Sequence, residues 1–313
     1  MIVCVSLNPA IDTRLNVASL ERGKVNRASS ATPEPGGKSL HVAMVLRTLG
    51  ADPLWIGLTG GTAGKFLADG IRAMGIRART IEIAQPTRTN LEIVENDGAV
   101  SEILEPGPAV SEAELQRLQR LFESELSAAG TNAIAVLCGS LPRNVPEDFY
   151  AKLIRIGHDR GCRVFLDTSG EPLRQALNAK PDLVKPNQHE AEWLSEFAIT
   201  DPRTAQKAAE KIFEAGAAAV AVSMGAAGIV YRWSKDSRSL AAAVPIVAMR
   251  SSTASGDAAM AGFAFASERG LGASDALRLA AACGTANCLA DGPAKARVAD
   301  IERLKSEIEI REL

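Results

Sequence analysis

Short, nearly unbroken apolar runs alternate with longer amphipathic stretches along most of the chain. Ile2–Ser6, Leu54–Leu58, Ala133–Cys138, Val164–Asp167, Leu183–Lys185 and Ala219–Ser223 carry apolar residues at successive positions. That is the pattern of strands covered on both faces, since one-sided strands alternate apolar with polar. Between them the apolar positions recur every three or four residues, as a helix with one buried face requires. This spacing predicts helices over Ser39–Leu49, Ala63–Met74 and Ser111–Leu126, and at about 146–158, 203–215, 257–269, 273–290 and 298–310. The clearest is Ser111–Leu126, where Ser111 and Glu114 form a capping-box pair and Leu115, Leu118, Leu121 and Phe122 make the stripe. Strand and helix in alternation imply βαβ units, and therefore a mostly parallel sheet between two helical layers.

Two stretches break this rhythm. Residues 13–35 and 86–105 hold short strand-like segments without long helices. Asn90–Glu95 and Val100–Leu104 are joined through Asn96-Asp97-Gly98, a hairpin signal. They predict a small antiparallel sheet standing off the main one, so the expectation is a single domain over 1–313 with a lid.

Composition narrows the partners. The chain has 313 residues, 46% hydrophobic and only 4% aromatic, which suits an aliphatic core. A net charge of −2 argues against nucleic acid or an anionic membrane as the main partner, so any attraction for an anionic substrate must be local. The five cysteines have no zinc spacing and no CxxC pair, which favours buried thiols in a reducing cytoplasm. No apolar run reaches membrane-spanning length, and the opening MIVCVSLNPAID has no basic leader region.

Four segments carry candidate chemistry. In Ala254-Ser255-Gly256-Asp257 small residues precede an Asp at the start of a helix. Unpaired N–H groups there suit a transferring phosphoryl group, and Asp257 could take a proton from a hydroxyl, or serve only as a cap. Gly36-Gly37-Lys38-Ser39 is a glycine turn opening a helix, without Walker spacing. Asn187 and Glu190 lie three apart at the end of a strand, on one face of a first helical turn. There they could hold a hydrated Mg²⁺, or form only a solvated first turn with Glu190 favoured by the helix dipole. Ser223, Gly225 and Gly228 follow another strand, suiting a turn against a nucleotide or any tight turn. Lys24, Arg27, Lys38 and Arg88 fall in or beside the lid segments and the glycine turn, a local positive cluster for a phosphate.

In order along nearly the whole chain, these segments resemble the phosphofructokinase-B branch of the ribokinase-like carbohydrate kinases. The residues that carry the likeness are Asn8-Pro9-Ala10-Ile11-Asp12, Gly23 to Arg27, Pro35 to Lys38, Thr87-Arg88-Thr89-Asn90, Gly139-Ser140-Leu141-Pro142, Asp167 to Glu171, Val184 to Glu190, and Ser255-Gly256-Asp257. The resemblance implies a three-layer α/β/α fold with a small β lid that also serves dimer contact. It implies an ATP-dependent kinase of a ketohexose phosphate (fructose 1-phosphate, fructose 6-phosphate or tagatose 6-phosphate). Asp257 would be the base, with residues 254–257 as the anion hole. Asp12, Gly36, Gly37, Lys38, His41 and Ser140 would line the sugar, and Lys24, Arg27 and Arg88 would hold its phosphate. Lys185, Asn187, Ser223, Gly225, Gly228, Gly284 and Asn287 would line ATP, with Asn187 and Glu190 at Mg²⁺.

The chain departs from that family's pattern in two places. The usual Gly-Ala-Gly-Asp run is Ala254-Ser255-Gly256-Asp257, so position 254 needs a conformation open to a non-glycine residue. His41 stands where an Asn is expected. Two other readings follow: a kinase for an unphosphorylated sugar or nucleoside, and a sugar-phosphate-binding homologue with little catalysis.

Overall fold

The computed structural model describes residues 1–313. The chain opens with β1 (Ile2–Ser6), β2 (Ala10–Val17), β3 (Ser30–Gly36), α1 (Lys38–Thr48), β4 (Leu54–Thr59), α2 (Gly61–Ala73) and β5 (Arg77–Glu82). It continues through β6 (Arg88–Glu95), β7 (Val100–Leu104), α3 (Glu112–Ala129), β8 (Ile134–Cys138), α4 (Phe149–Asp159), β9 (Arg163–Asp167) and α5 (Gly170–Leu177). Next come β10 (Leu183–Val184), α6 (Gln188–Ser195), α7 (Pro202–Glu214), β11 (Val220–Ser223), β12 (Ile229–Arg232) and β13 (Leu240–Ala243). The last elements are α8 (Ser255–Glu268), α9 (Ala273–Cys288), α10 (Val298–Glu307) and β14 (Glu309–Glu312).

The main sheet has ten strands in the order β14-β13-β12-β11-β10-β9-β8-β1-β4-β5. From β11 to β5 every pairing is parallel, and β12, β13 and β14 add an antiparallel margin. Alternation along the buried strands feeds two cores. In β1, Ile2 and Cys4 join the layer built by α1, α8, α9 and α10, while Val3 and Val5 face the layer of α3, α4, α5 and α7. The three-layer expectation is therefore met, and the unbroken apolar runs are explained by burial on both faces.

The lid is a second sheet, ordered β3-β2-β6-β7. Its outer pairs are antiparallel and its central pair, β2 with β6, is parallel. The β6–β7 hairpin turns at Asn96-Asp97-Gly98, with Gly98 at φ 89°. The Ser111–Glu114 capping box forms as the sequence predicts.

Four strands and one helix were not legible in the apolar pattern: β5, β12, β13, β14 and α5. The edge strands β5 and β14 are largely exposed and charged, so they lack an apolar run. The last helix stops at Glu307 instead of 310, because Ile308 turns extended and feeds β14.

Candidate active site

The site residues gather at the carboxyl ends of the parallel strands, where an open α/β sheet leaves a crevice. Asp167 ends β9, Lys185 follows β10, and Gly139 and Ser140 follow β8. The lid approaches this edge through β2 and β6, which carry Asp12, Arg88 and Asn90.

The glycine turn before α1 exists to receive Asp12. A Cβ on Gly36 would fall 1.9 Å from Asp12 Oδ2, so no other residue fits with the carboxylate in place. Gly37 has φ 95°, and its amide donates to the same oxygen at 3.2 Å. Asn90 donates to Asp12 Oδ1 at 2.9 Å. His41, one turn into α1, is buried between Asp12 and Asp257. Its Nδ1 is 3.0 Å from Asp257 Oδ2 in a well-formed hydrogen bond. Its Nε2 lies 3.3 Å from Asp12 Oδ2, a longer and less aligned contact. Burial alone would lower the imidazole pKa, but hydrogen bonding and charge from Asp12 and Asp257 outweigh it and push it up to about 9. Burial works against the Asp12 carboxylate as well, yet His41, Asn90 and the Gly37 amide hold it below its usual range.

Asp257 sits in the first turn of α8, 5% exposed. The residue before the helix, Ala254, adopts the left-handed conformation at φ 64°, ψ 8°. An alanine can hold that shape at a cost of about 1 kcal/mol, so the loop keeps its form without glycine. Asn287 fixes the loop from behind. Its amide donates to the Thr253 carbonyl at 2.7 Å and lies 3.1 Å from Ser255 Oγ. Asn287 is fully buried, and Gly284 lets α9 approach the Ser255 carbonyl closely. The structure thus places both behind the 253–255 loop as its supports. From the lid side, the Thr253 hydroxyl donates to Glu92 at 2.9 Å, with a Glu102 oxygen 3.2 Å away, and Arg14 pairs with Glu92 at 2.7 Å.

A second charged cluster lies beneath Gly256. Asp167 is buried between Lys38, at 2.6 Å, and Lys185, at 2.7 Å. Burial opposes its charge, but the two ammonium groups prevail and hold it at about 2. A Cβ on Gly256 would come 3.1 Å from Lys185 Nζ, so this ammonium lies against the start of α8.

Asn187 and Glu190 form a reciprocal capping box on α6: Asn187 Oδ1 accepts from the Glu190 amide, and Glu190 Oε2 accepts from the Asn187 amide. The Glu190 pKa is raised, first by burial and then by the Asp167 charge. No group of three His, Cys, Asp or Glu side chains forms a metal cage. Ser223 bridges Asn187 across the sheet edge, and Gly225 opens a single 3₁₀ turn. Gly228 is demanded by packing: a Cβ there would strike the Ala242 carbonyl at 1.9 Å.

Beside Asp12 a cavity of about 350 Å³ is lined by Arg88, Arg143, Glu105, Thr87, Gly107 and neighbouring prolines. Arg88 donates to the carbonyls of Asn8 and Glu105, and Arg143 to that of Gly107. Asn8 in turn donates to Ser140 Oγ. Sequence reasoning passed over Arg143, although it follows directly on the Gly139–Pro142 motif. It also passed over Asp167 as a charge partner for the two lysines. Lys24 and Arg27 were expected at the site, but both lie on the exposed segment between β2 and β3, where Lys24 pairs with Glu21.

Residues 1–298 match the pfkB family carbohydrate kinase. The chain belongs to this family. It is 29% identical to a 1-phosphofructokinase of Borreliella burgdorferi over 100% of this chain and 99% of the relative. It is 37% identical to a 1-phosphofructokinase of Xanthomonas campestris pv. campestris over 84% and 83% of the two chains. The fold superposes with a TM-score of 0.89 on Escherichia coli phosphofructokinase-2 in complex with fructose-6-phosphate, at 27% identity over 98% of each chain. The pfkB match makes this chain a carbohydrate kinase and makes the charged crevice between lid and α8 its candidate active site.

Proposed function

We propose that the enzyme transfers the γ-phosphoryl group of ATP to a hydroxymethyl group of a ketohexose phosphate, giving the bisphosphate and ADP. The observation that carries this reading is the pairing of a buried carboxylate at a helix start, Asp257, with a separate cavity lined by two arginines, one of which, Arg88, feels the charge of Asp12. An unphosphorylated sugar has no use for the second feature. Fructose 1-phosphate is the favoured acceptor, because the two relatives matched by sequence above are named 1-phosphofructokinase.

In this scheme Asp12 and the Gly36-Gly37 turn orient the sugar, and Arg88 with Arg143 holds its phosphate by charge-assisted hydrogen bonds. The acceptor oxygen attacks the γ-phosphorus as the bond to the leaving ADP oxygen breaks, and Asp257 takes the hydroxyl proton. The Ser255 amide is taken by the Ser252 carbonyl, so the amides of Ala254, Gly256 and Asp257, with the ammonium of Lys185, would face the transferring group and stabilise its charge. Mg²⁺ would arrive with the nucleotide phosphates and offset their charge. Glu190 fits that role, with Oε1 left by its capping bond and a half-buried carboxylate that gains from a nearby cation. Ser223 and Gly225, at the same sheet edge, would face the nucleotide. The outer strand of the lid exposes Val100, Ile103 and Leu104, and this apolar edge strand would be covered by a second copy in a homodimer.

An ADP-release assay over fructose 1-phosphate, fructose 6-phosphate, tagatose 6-phosphate and free fructose tests the reading. Turnover is expected with a phosphorylated ketohexose. Arg143→Ala should raise its KM about ten- to a hundredfold, the worth of a charged hydrogen bond. Preference for free sugar, with KM indifferent to Arg143, would contradict it.

A further inference from the structure

We infer that His41 is a positioning residue, a single cationic ring that ties the base Asp257 to the sugar-binding carboxylate Asp12 and fixes the two relative to each other. This rests on the roles proposed above for those two carboxylates. The ring leaves α1 at its fourth residue and its side chain is 6% exposed. One nitrogen faces Asp257 Oδ2 at 3.0 Å and the other faces Asp12 Oδ2 at 3.3 Å. An ionised carboxylate only accepts hydrogen bonds, so a ring lodged between two of them carries a proton on both nitrogens. The aspartates come from different parts of the fold, one from the lid strand β2 and the other from α8. Through His41, the position of the lid is joined to the position of the base.

The bridge also divides the work of the oxygens. Asp257 gives Oδ2 to His41, which leaves Oδ1 for the acceptor hydroxyl. Asp12 receives Asn90 on Oδ1 and the Gly37 amide on Oδ2, so the Nε2 contact is the weaker half and the one a sugar hydroxyl can enter. The charged and titratable surroundings are few. From β6, Arg88 acts on Asp12. From α1, Lys38 feels both Asp257 and Asp167. From β8, the Cys138 thiol is held well above its ordinary range, first by burial and then by Asp167 and Asp257, and stays neutral. His41 is therefore the group whose proton is lost on moderate alkalinisation. When it goes, one of the two carboxylates loses its donor.

Imidazole NMR of the full chain tests this without reference to activity. There are three histidines, and His41→Asn identifies the signal. Both ring nitrogens of His41 should stay protonated through pH 8, and Asp12→Asn and Asp257→Asn should each shift the titration down by a unit or more. A His41 that titrates near 6.5, or that ignores both substitutions, overturns the inference. Kinetically, kcat/KM for the ketohexose phosphate should fall above about pH 9 in the native enzyme. In His41→Asn that limb should vanish and kcat/KM drop on the order of 10²-fold, as for a misplaced reacting group. A His41→Asn enzyme that keeps the native pH limb also overturns the inference. The coupled NMR shifts without any turnover on ketohexose phosphates would refute the proposed substrate and leave the bridge standing.

Discussion

The two turns that open α1 and α8 are both expected to present backbone N–H groups, but they differ in what they demand. Before α1, Gly36 is fixed by contact, since any Cβ would strike the Asp12 carboxylate. Before α8, Ala254 stands in a left-handed conformation that costs little, and Asn287 holds the loop from behind. The charges differ in the same way. At the sugar end two carboxylates share one cation, His41, whereas at the phosphoryl end two cations, Lys38 and Lys185, share one carboxylate, Asp167. On the proposed function, one end would receive hydroxyls and the other phosphate. A glycine is thus replaceable where only backbone conformation is at stake, and not where a neighbouring side chain fills the space its Cβ would take.

The largest expected effect breaks the phosphoryl end. Asp167→Asn leaves Lys185, 3% exposed, without its charge partner, and should cost about 3–5 kcal/mol in denaturant unfolding. At the sugar end the matching effect is pH-dependent. The His41 pKa is raised above its unfolded value, so its stabilisation is full below about pH 6.5 and is lost as pH rises through about 9. The span is on the order of 3 kcal/mol. Thermal melts from pH 6 to 10 should show this slope in the native chain and not in His41→Asn. Next, Gly36→Ala should displace Asp12 and reduce kcat/KM on the order of 10²-fold while the fold persists. The smallest effect sharpens the contrast between the turns. Ala254→Gly should stabilise by up to about 1 kcal/mol by relieving the left-handed alanine, with the urea midpoint as the readout.

Most of the layered fold was legible because its central strands are buried on both sides and announce themselves as apolar runs. The edge strands β5 and β14 were silent, since their side chains face water. In the site, Asp12 and Asp257 were found by their place in ordered motifs. What could not be read was which side chains meet. His41 was marked as an exception, but nothing in its local sequence says that its ring spans two carboxylates brought together from residues 12 and 257. Asn187 and Glu190 were placed in the first turn of a helix, but their reciprocal capping of α6 was not read from the sequence. Arg143 lacked a signal of its own and gains meaning only from the cavity it shares with Arg88.

The central claim is that Asp257 accepts the proton of a phosphorylated ketohexose during transfer from ATP. The most direct measurement is ADP release with fructose 1-phosphate by the native chain and by Asp257→Asn, together with nucleotide binding by both. The account predicts turnover by the native chain and a loss of about 10³-fold in the variant, with nucleotide binding retained. Near-native turnover by Asp257→Asn would contradict it.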